Sequence, residues 1–224
     1  MSDLHWDEVR SFFDPDLMGA LPDVFVPDAS AEDWQAVFDL VEARGWQWEF
    51  VQGDTALPLP LATDALARPP GAELVELKVW PVPGMLAIFR LMSAEEIDFD
   101  IDLRELQGQD GVDALCGFFG EIGRKLGKPV LMTSEGGSQD HAVLGFDPVL
   151  DRVVQPCRGD RIGSDPFGGG RREDVLGGEG FAQSEGGVGG LCQGTVEDFP
   201  LVDQSRMTTG LRVRWCRSAS PPRR

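Results

Sequence analysis

Residues 96 to 103 read Glu-Ile-Asp-Phe-Asp-Ile-Asp-Leu, a strict alternation of acidic and apolar side chains. Successive side chains of a β-strand point to opposite faces, so the pattern predicts a strand with one apolar and one acidic face. Carboxylates on one strand face repel one another, and a sequence specified only for stability would mix in lysine or threonine. The apolar face holds Ile97, Phe99, Ile101 and Leu103, and the acidic face holds Glu96, Asp98, Asp100 and Asp102.

The preceding predicted strand, residues 85–92, is apolar on both faces except at Arg90, as a central strand covered on both sides would be. Only residues 93–95 separate it from the acidic strand, which predicts an antiparallel hairpin whose paired residue numbers sum to 188. Lys78 and Trp80 are expected nearby on the strand before. The predicted pairs are Phe89 with Phe99, Leu91 with Ile97, Arg90 with Asp98, Ile88 with Asp100, and Leu86 with Asp102.

Hydrophobic periodicity along the rest of the chain predicts an α+β domain with a largely antiparallel sheet of six to seven strands. Two N-terminal helices, 2–13 and 30–44, precede the sheet, and helix 111–126 packs on it, with Asp110 as N-cap and Gly127 as its stop. The predicted order is α-α-β-β-β-β-α-β-β-β. The strands are 46–51, 73–80, 85–92, 96–103, 130–133, 142–146 and 152–154.

A change in charge marks a domain boundary near residue 155. Residues 1–155 hold 29 acidic and 10 basic residues, whereas residues 156–224 hold 9 acids and 10 arginines. The second part lacks lysine, carries 14 of the 28 glycines and shows no hydrophobic periodicity. We therefore expect an acidic domain at 1–155, and a Gly/Arg-rich low-complexity tail at 156–224 that is disordered or an out-of-frame extension.

The same composition excludes several classes of function. No apolar run reaches the roughly 18 residues that cross a bilayer, and the acidic N-terminus does not fit a signal peptide, so we expect a cytoplasmic protein without membrane contact. A net charge of −19 on residues 1–155 repels nucleic acid. The cysteines show no metal-ligand spacing, and no nucleophile or phosphate-binding motif is present, so we expect no cofactor and no catalysis.

Two interpretations of the acidic strand compete most directly. It can be a solvated face on which Arg90 and Lys78 neutralise two acids. Alternatively, apolar residues framed by unbalanced carboxylates form a docking face for a basic protein, which is the function we predict. The predicted contact residues are Glu96, Asp98, Asp100, Asp102, Trp80, Leu86 and Ile88.

A third interpretation is a metal-dependent hydrolase. Asp98, Asp100 and Asp102 form Asp-x-Asp patterns that can hold Mg²⁺ or Mn²⁺, provided that another ligand comes from elsewhere. The nearest candidates are Glu135, Asp140 and His141. A scattered Pro22-Asp23 and Glu76-Leu77-Lys78 pair is similar to a nuclease superfamily motif, but Pro22-Asp23 is expected in a loop, and Glu76 with Lys78 is expected as an ion pair.

In size and acidity the domain resembles the small immunity proteins that neutralise basic bacterial toxins, especially nucleases. The resemblance implies a non-enzymatic inhibitor that binds a basic partner. It rests on make-up rather than on a motif, so it assigns no role to any residue.

Overall fold

The computed structural model describes residues 3–69 and 71–155, which contain one antiparallel sheet of nine strands. The strands are β1 (Asp23–Val26), β2 (Gln47–Gln52), β3 (Thr55–Leu57), β4 (Val75–Trp80), β5 (Ala87–Arg90), β6 (Ile97–Ile101), β7 (Val130–Met132), β8 (Leu144–Asp147) and β9 (Arg152–Val154). Their order across the sheet is β3-β2-β4-β5-β6-β1-β7-β8-β9. The predicted tail, residues 156–224, lies outside the described residues.

Five α-helices accompany the sheet in this part of the chain. They are α1 (Trp6–Val9), α2 (Pro15–Met18), α3 (Ala31–Arg44), α4 (Ala62–Leu66) and α5 (Gly108–Leu126), with 3₁₀ turns at Arg10–Phe12 and Gln139–His141. Helices α3 and α5 supply large side chains to one sheet face, which we call the inner face. The opposite side is the outer face. No helix among the described residues is long and apolar enough to cross a membrane.

Aromatic side chains from helices and sheet fill the core at the inner face. Phe89 of β5 stacks on Phe99 of β6 with ring centroids 4.5 Å apart. Trp34 of α3 meets Phe89 edge-on, and Phe118 of α5 contacts both Phe89 and Phe99. Each of these rings is almost fully buried. This packing fixes which face of the hairpin β5–β6 is inner, so the alternating acids must lie on the outer face.

The α+β class and the largely antiparallel sheet are confirmed, and all seven predicted strands are present, β9 with the predicted ends and the other six with one or both ends shifted. Two further strands make the predicted count wrong. β1 was expected as loop because Pro22 and Pro27 flank it, yet neither proline interrupts the pairing of residues 23–26. β3 pairs with β2 across a two-residue turn at Gly53 and Asp54. Its three residues are all exposed, so the sequence shows no alternation of apolar and polar residues that would predict this strand.

The helical predictions are partly right. Ser30 caps α3 by accepting a hydrogen bond from the Asp33 backbone at 3.3 Å, and Gly45 ends the helix in the left-handed conformation, as predicted. The predicted helix 2–13 is instead α1 and a 3₁₀ turn, followed by α2, because Pro15 starts a helix capped by Asp14 rather than only ending one.

Helix α5 begins one turn before the predicted start. Gln107, not Asp110, occupies its N-cap position, and Asp110 lies in the first turn, where its charge complements the helix dipole. Gly127 ends the helix with φ +65°, as predicted. The observed order is α-α-β-α-β-β-α-β-β-β-α-β-β-β, which replaces the predicted order.

Candidate functional site

The outer face of the sheet carries side chains in rows, because residues paired across antiparallel strands point to the same side. The hairpin pairs all sum to 188, so the predicted register is confirmed. The remaining predicted contact residues, Trp80, Leu86, Glu96 and Asp102, lie at the ends of these strands. Two rows cross the centre of this face, each read in the strand order β4, β5, β6 and β1. The first row is Lys78, Ile88, Asp100 and Asp23. The second row is Glu76, Arg90, Asp98 and Phe25.

Arg90, on the strand next to the acidic strand, forms its ion pair with a different aspartate from the one directly opposite it. Arg90 stands directly opposite Asp98 in the register, but its guanidinium forms an ion pair with the carboxylate of Asp100, one position along the strand. The Nε of Arg90 also lies 3.9 Å from Oε1 of Glu76. The predicted register pair of Arg90 with Asp98 is confirmed, but the ion pair forms with Asp100 instead, because the long arginine side chain reaches diagonally to the more buried acid.

Asp102 belongs to a local turn rather than to a row of equivalent acids. Its Oδ1 accepts hydrogen bonds from the backbone N–H of Arg104 at 3.0 Å and from the Arg104 Nε at 2.8 Å. Hydrogen bonding to Arg104 lowers the pKa of Asp102 below its usual value. The residue is buried and stabilises the chain where it leaves β6, so Asp102 does not share the environment of Asp98 and Asp100.

An acid that sequence reasoning placed in a loop completes the site. Asp23 begins β1 and pairs directly with Asp100. One carboxylate oxygen each of Asp23, Asp98 and Asp100 lies within 4.8 Å of the other two. We call these three residues the acid cluster. The signal that could have revealed Asp23 is the segment Val24-Phe25-Val26, whose β-branched and aromatic residues suit a strand.

The acid cluster has carboxylate oxygens that lack partners. Asp100 is only 2 % exposed. Its Oδ1, and the Oδ1 of Asp98, are buried without a hydrogen bond. Burial raises the pKa of Asp98 to about 6, with further contributions from Asp100 and Asp23. Burial also raises the pKa of Asp100 to about 6, although Arg90 opposes that rise.

A loop that carries the proposed further ligands does approach the cluster, although not through the expected side chains. The Gly136 N–H donates to Asp23 Oδ2 at 2.6 Å, and Gln139 donates to the Glu96 carboxylate. These two bonds hold the loop over the outer face of β1. Of the predicted additional ligands, Glu135 accepts a hydrogen bond from the Leu21 N–H at 3.3 Å, while Asp140 and His141 are exposed.

The apolar residues predicted for docking lie beside the acids. Ile88 is half-buried between Lys78 and Asp100 in its row. Trp80 and Leu86 are half-buried at the neighbouring ends of β4 and β5. The outer face therefore combines partly accessible apolar side chains with charged ones.

The nuclease-like pair does not converge on one site. Lys78 lies 3.9 Å from Glu76, which confirms the expected ion pair. Asp23 lies on β1 rather than in a loop, yet strands β5 and β6 separate it from these two residues. The Pro22-Asp23 and Glu76-Leu77-Lys78 segments therefore do not form the compact carboxylate and lysine constellation of a nuclease.

The raised pKa values predict how stability depends on pH. The folded protein holds protons on Asp98 and Asp100 more tightly than the unfolded chain, so these groups favour folding most below about pH 4 and progressively less up to about pH 6. Asp98→Asn removes the repulsion from Asp100, Asp23 and Glu96, although it also removes an attraction to Arg90. We expect the variant to be more stable than the wild type at pH 7 by about 1 kcal/mol, after allowing for solvent screening.

Urea unfolding in chelator-containing buffer from pH 4 to pH 8 measures this difference. The advantage of Asp98→Asn should grow between pH 4 and pH 6 and then level off. A variant that is less stable than the wild type at pH 7 would contradict the electrostatic account of Asp98.

Searches of protein-family models, curated proteins and solved structures find no match to this chain.

Proposed function

We propose that this protein is a non-enzymatic acidic binding domain whose outer sheet face docks a basic protein. The observation that carries the proposal is the juxtaposition on this face of half-buried apolar side chains with an excess of carboxylates. On strands β1, β2, β4, β5 and β6 the outer face holds five carboxylates and two cations. The carboxylates are Asp23, Glu49, Glu76, Asp98 and Asp100, and the cations are Lys78 and Arg90.

The apolar residues supply the contact area of the proposed interface. Trp80, Leu86 and Ile88 are each partly exposed although they lie at strand positions that a second layer could cover. Large apolar and aromatic side chains that lose water on binding contribute most of the binding free energy in protein interfaces. We therefore assign Trp80 and Ile88 to the centre of the contact.

The acids contribute selectivity for a positively charged partner and a faster encounter rate. They do not contribute equally, because Asp100 and Asp102 already have arginine partners. Exposed Glu49 and half-buried Glu96 and Asp98 have no ion-pair partner among the described residues, whereas Glu76 lies 3.9 Å from Lys78 and from Arg90. The proposed charged contacts therefore lie on β2, on β6 and directly before β6.

An immunity-type inhibitor of a basic toxin is the form of this function that the composition favours. The charge of −18 on the whole chain suits rapid capture of a strongly basic protein. Such a role needs no catalytic group. It requires only a rigid surface, and a sheet backed by an aromatic core supplies one.

A pair of charge-matched variants tests whether the outer face, rather than total charge, is responsible. Glu96→Gln/Asp98→Asn neutralises two acids on that face, and Glu32→Gln/Glu42→Gln neutralises two exposed acids on α3. A basic protein captured from a lysate of the source organism is identified, purified and titrated against each chain by calorimetry. We expect the first variant to bind about tenfold more weakly at low salt and the second to bind as the wild type does.

Trp80→Ala should also weaken binding, and its effect should persist at high salt because the lost contact is apolar. The proposal fails if both charge variants bind equally well, or if the wild-type chain retains no basic protein at low salt.

A further inference from the structure

We propose that Asp23, Asp98 and Asp100 form a binding site for a hard divalent cation of the Mg²⁺, Mn²⁺ and Ca²⁺ class. The site lies on the outer face, where β1 pairs with β6. It is distinct from the predicted Asp98, Asp100 and Asp102 row, because Asp102 is bound to Arg104 and Asp23 takes its place.

The backbone of two paired strands positions the three ligands. Asp23 and Asp100 are direct partners, and Asp98 lies two residues before Asp100 on the same strand face. Their nearest carboxylate oxygens lie within 4.8 Å of one another. Oxygen ligands bind these cations at about 2.0 to 2.6 Å, so one ion between the strands can reach all three carboxylates.

Unpartnered buried oxygens point independently to a ligand. Asp100 is 2 % exposed, and its Oδ1 accepts no hydrogen bond, although its Oδ2 pairs with Arg90. The buried Oδ1 of Asp98 likewise has no partner. Buried carboxylate oxygens that lack partners are unfavourable, and a cation between them satisfies both at once.

The surrounding bonds hold the carboxylates in place for a cation. Gly136 donates to Asp23 Oδ2 at 2.6 Å, which limits rotation of that side chain. Arg90 fixes one oxygen of Asp100 and leaves the other free. Groups that orient the ligands of a metal in this way raise its affinity.

The local charge matches a divalent ion. Three ionised carboxylates and the guanidinium of Arg90 sum to a charge of −2, which one divalent cation neutralises. A monovalent cation would leave one negative charge uncompensated beside the buried carboxylate of Asp100.

The donor chemistry determines the class of ion. All three ligands are carboxylates, which favour Mg²⁺, Mn²⁺ and Ca²⁺ over the softer metals that select imidazole or thiolate. No histidine or cysteine belongs to the group among residues 3–69 and 71–155. Three carboxylates do not fill the coordination shell, so water molecules would supply the remaining ligands.

Calorimetric titration of Mn²⁺ into the full chain, first stripped with a chelator, tests the site without any protein partner. We expect one binding event in the wild type, weakened about tenfold or more in Asp98→Asn and in Asp23→Asn. Glu42→Gln removes an exposed acid from α3 on the other side of the sheet and should bind Mn²⁺ as the wild type does. Circular dichroism of each variant checks that the fold is retained.

The alternative occupant of the cluster is a shared proton, which requires no metal. Absence of saturable Mn²⁺ binding, or equal weakening in Glu42→Gln and Asp98→Asn, would overturn the proposed site. Neither result decides the docking proposal, because Trp80, Ile88 and Glu49 belong to the docking face and not to the metal site, although Asp98 belongs to both.

Discussion

Arg90→Met should lower the free energy of unfolding by about 3 kcal/mol at pH 7, the largest loss that we expect from a single side chain on the outer face. Arg90 is the ion-pair partner of Asp100, whose side chain is only 3 % exposed. Without the guanidinium, Asp100 would be a buried carboxylate beside two other acids, Asp98 and Asp23. Methionine retains most of the apolar stem, so the loss isolates the charge.

Urea unfolding in the presence of a chelator measures this effect, with Arg104→Met as the control. Arg104 also pairs with a buried aspartate, but its side chain is 66 % exposed, and Asp102 would keep its bond to the backbone N–H of residue 104. The control should therefore lose much less stability. The loss in Arg90→Met should shrink at pH 5, because Asp100 can then take up a proton. Equal losses in the two variants would contradict the role given to Arg90.

Gly123→Ala should destabilise the protein by about 3 kcal/mol, because helix α5 approaches strand β8 too closely for a side chain at this position. A Cβ atom on Gly123 would overlap the ring of Phe146. That ring is 1 % exposed and packs in the core, so it has no space into which it could move. Thermal or urea unfolding measures the loss.

The same helix provides a matched control with the opposite sign. Gly117 is exposed, and a Cβ there would meet no atom within 4 Å. Gly117→Ala should therefore raise the stability by ~1 kcal/mol, the usual gain of alanine over glycine inside a helix. Destabilisation by both substitutions would contradict the assignment of close packing to Gly123 and open space to Gly117.

The hairpin of β5 and β6 could be predicted in detail because all of its signals are local. Residues 96–103 alternate strictly, and only residues 93–95 separate the two predicted strands, so the pairing of Phe89 with Phe99 follows from one short segment. Seven strands and helix α3 were found by the same periodicity. Gly123 packs closely against β8 whereas Gly117 is exposed, a difference that the sequence does not indicate because contacts across elements depend on the position of a distant strand.

The composition of the acid cluster could not be predicted, because it depends on a long-range pairing. Asp23 and Asp100 are far apart in sequence, and the prolines beside β1 conceal the strand that brings them together. The ion pair of Arg90 with Asp100 rather than Asp98 depends on the rotamer of the arginine side chain, which the pairing register of the two strands does not determine. The sequence therefore predicted the acidic face of the sheet but placed Asp102 where the acid cluster has Asp23.

The outer sheet face is the proposed docking surface for a basic partner protein. Carbodiimide labelling of carboxylates, read by mass spectrometry with and without the purified partner, tests it most directly. If the partner covers the outer face, labelling of Glu49 and Glu76 should fall in the complex, while labelling of Glu32 and Glu42 on α3 should stay unchanged. Protection of Glu32 and Glu42, with Glu49 and Glu76 as reactive as in the free chain, would contradict it.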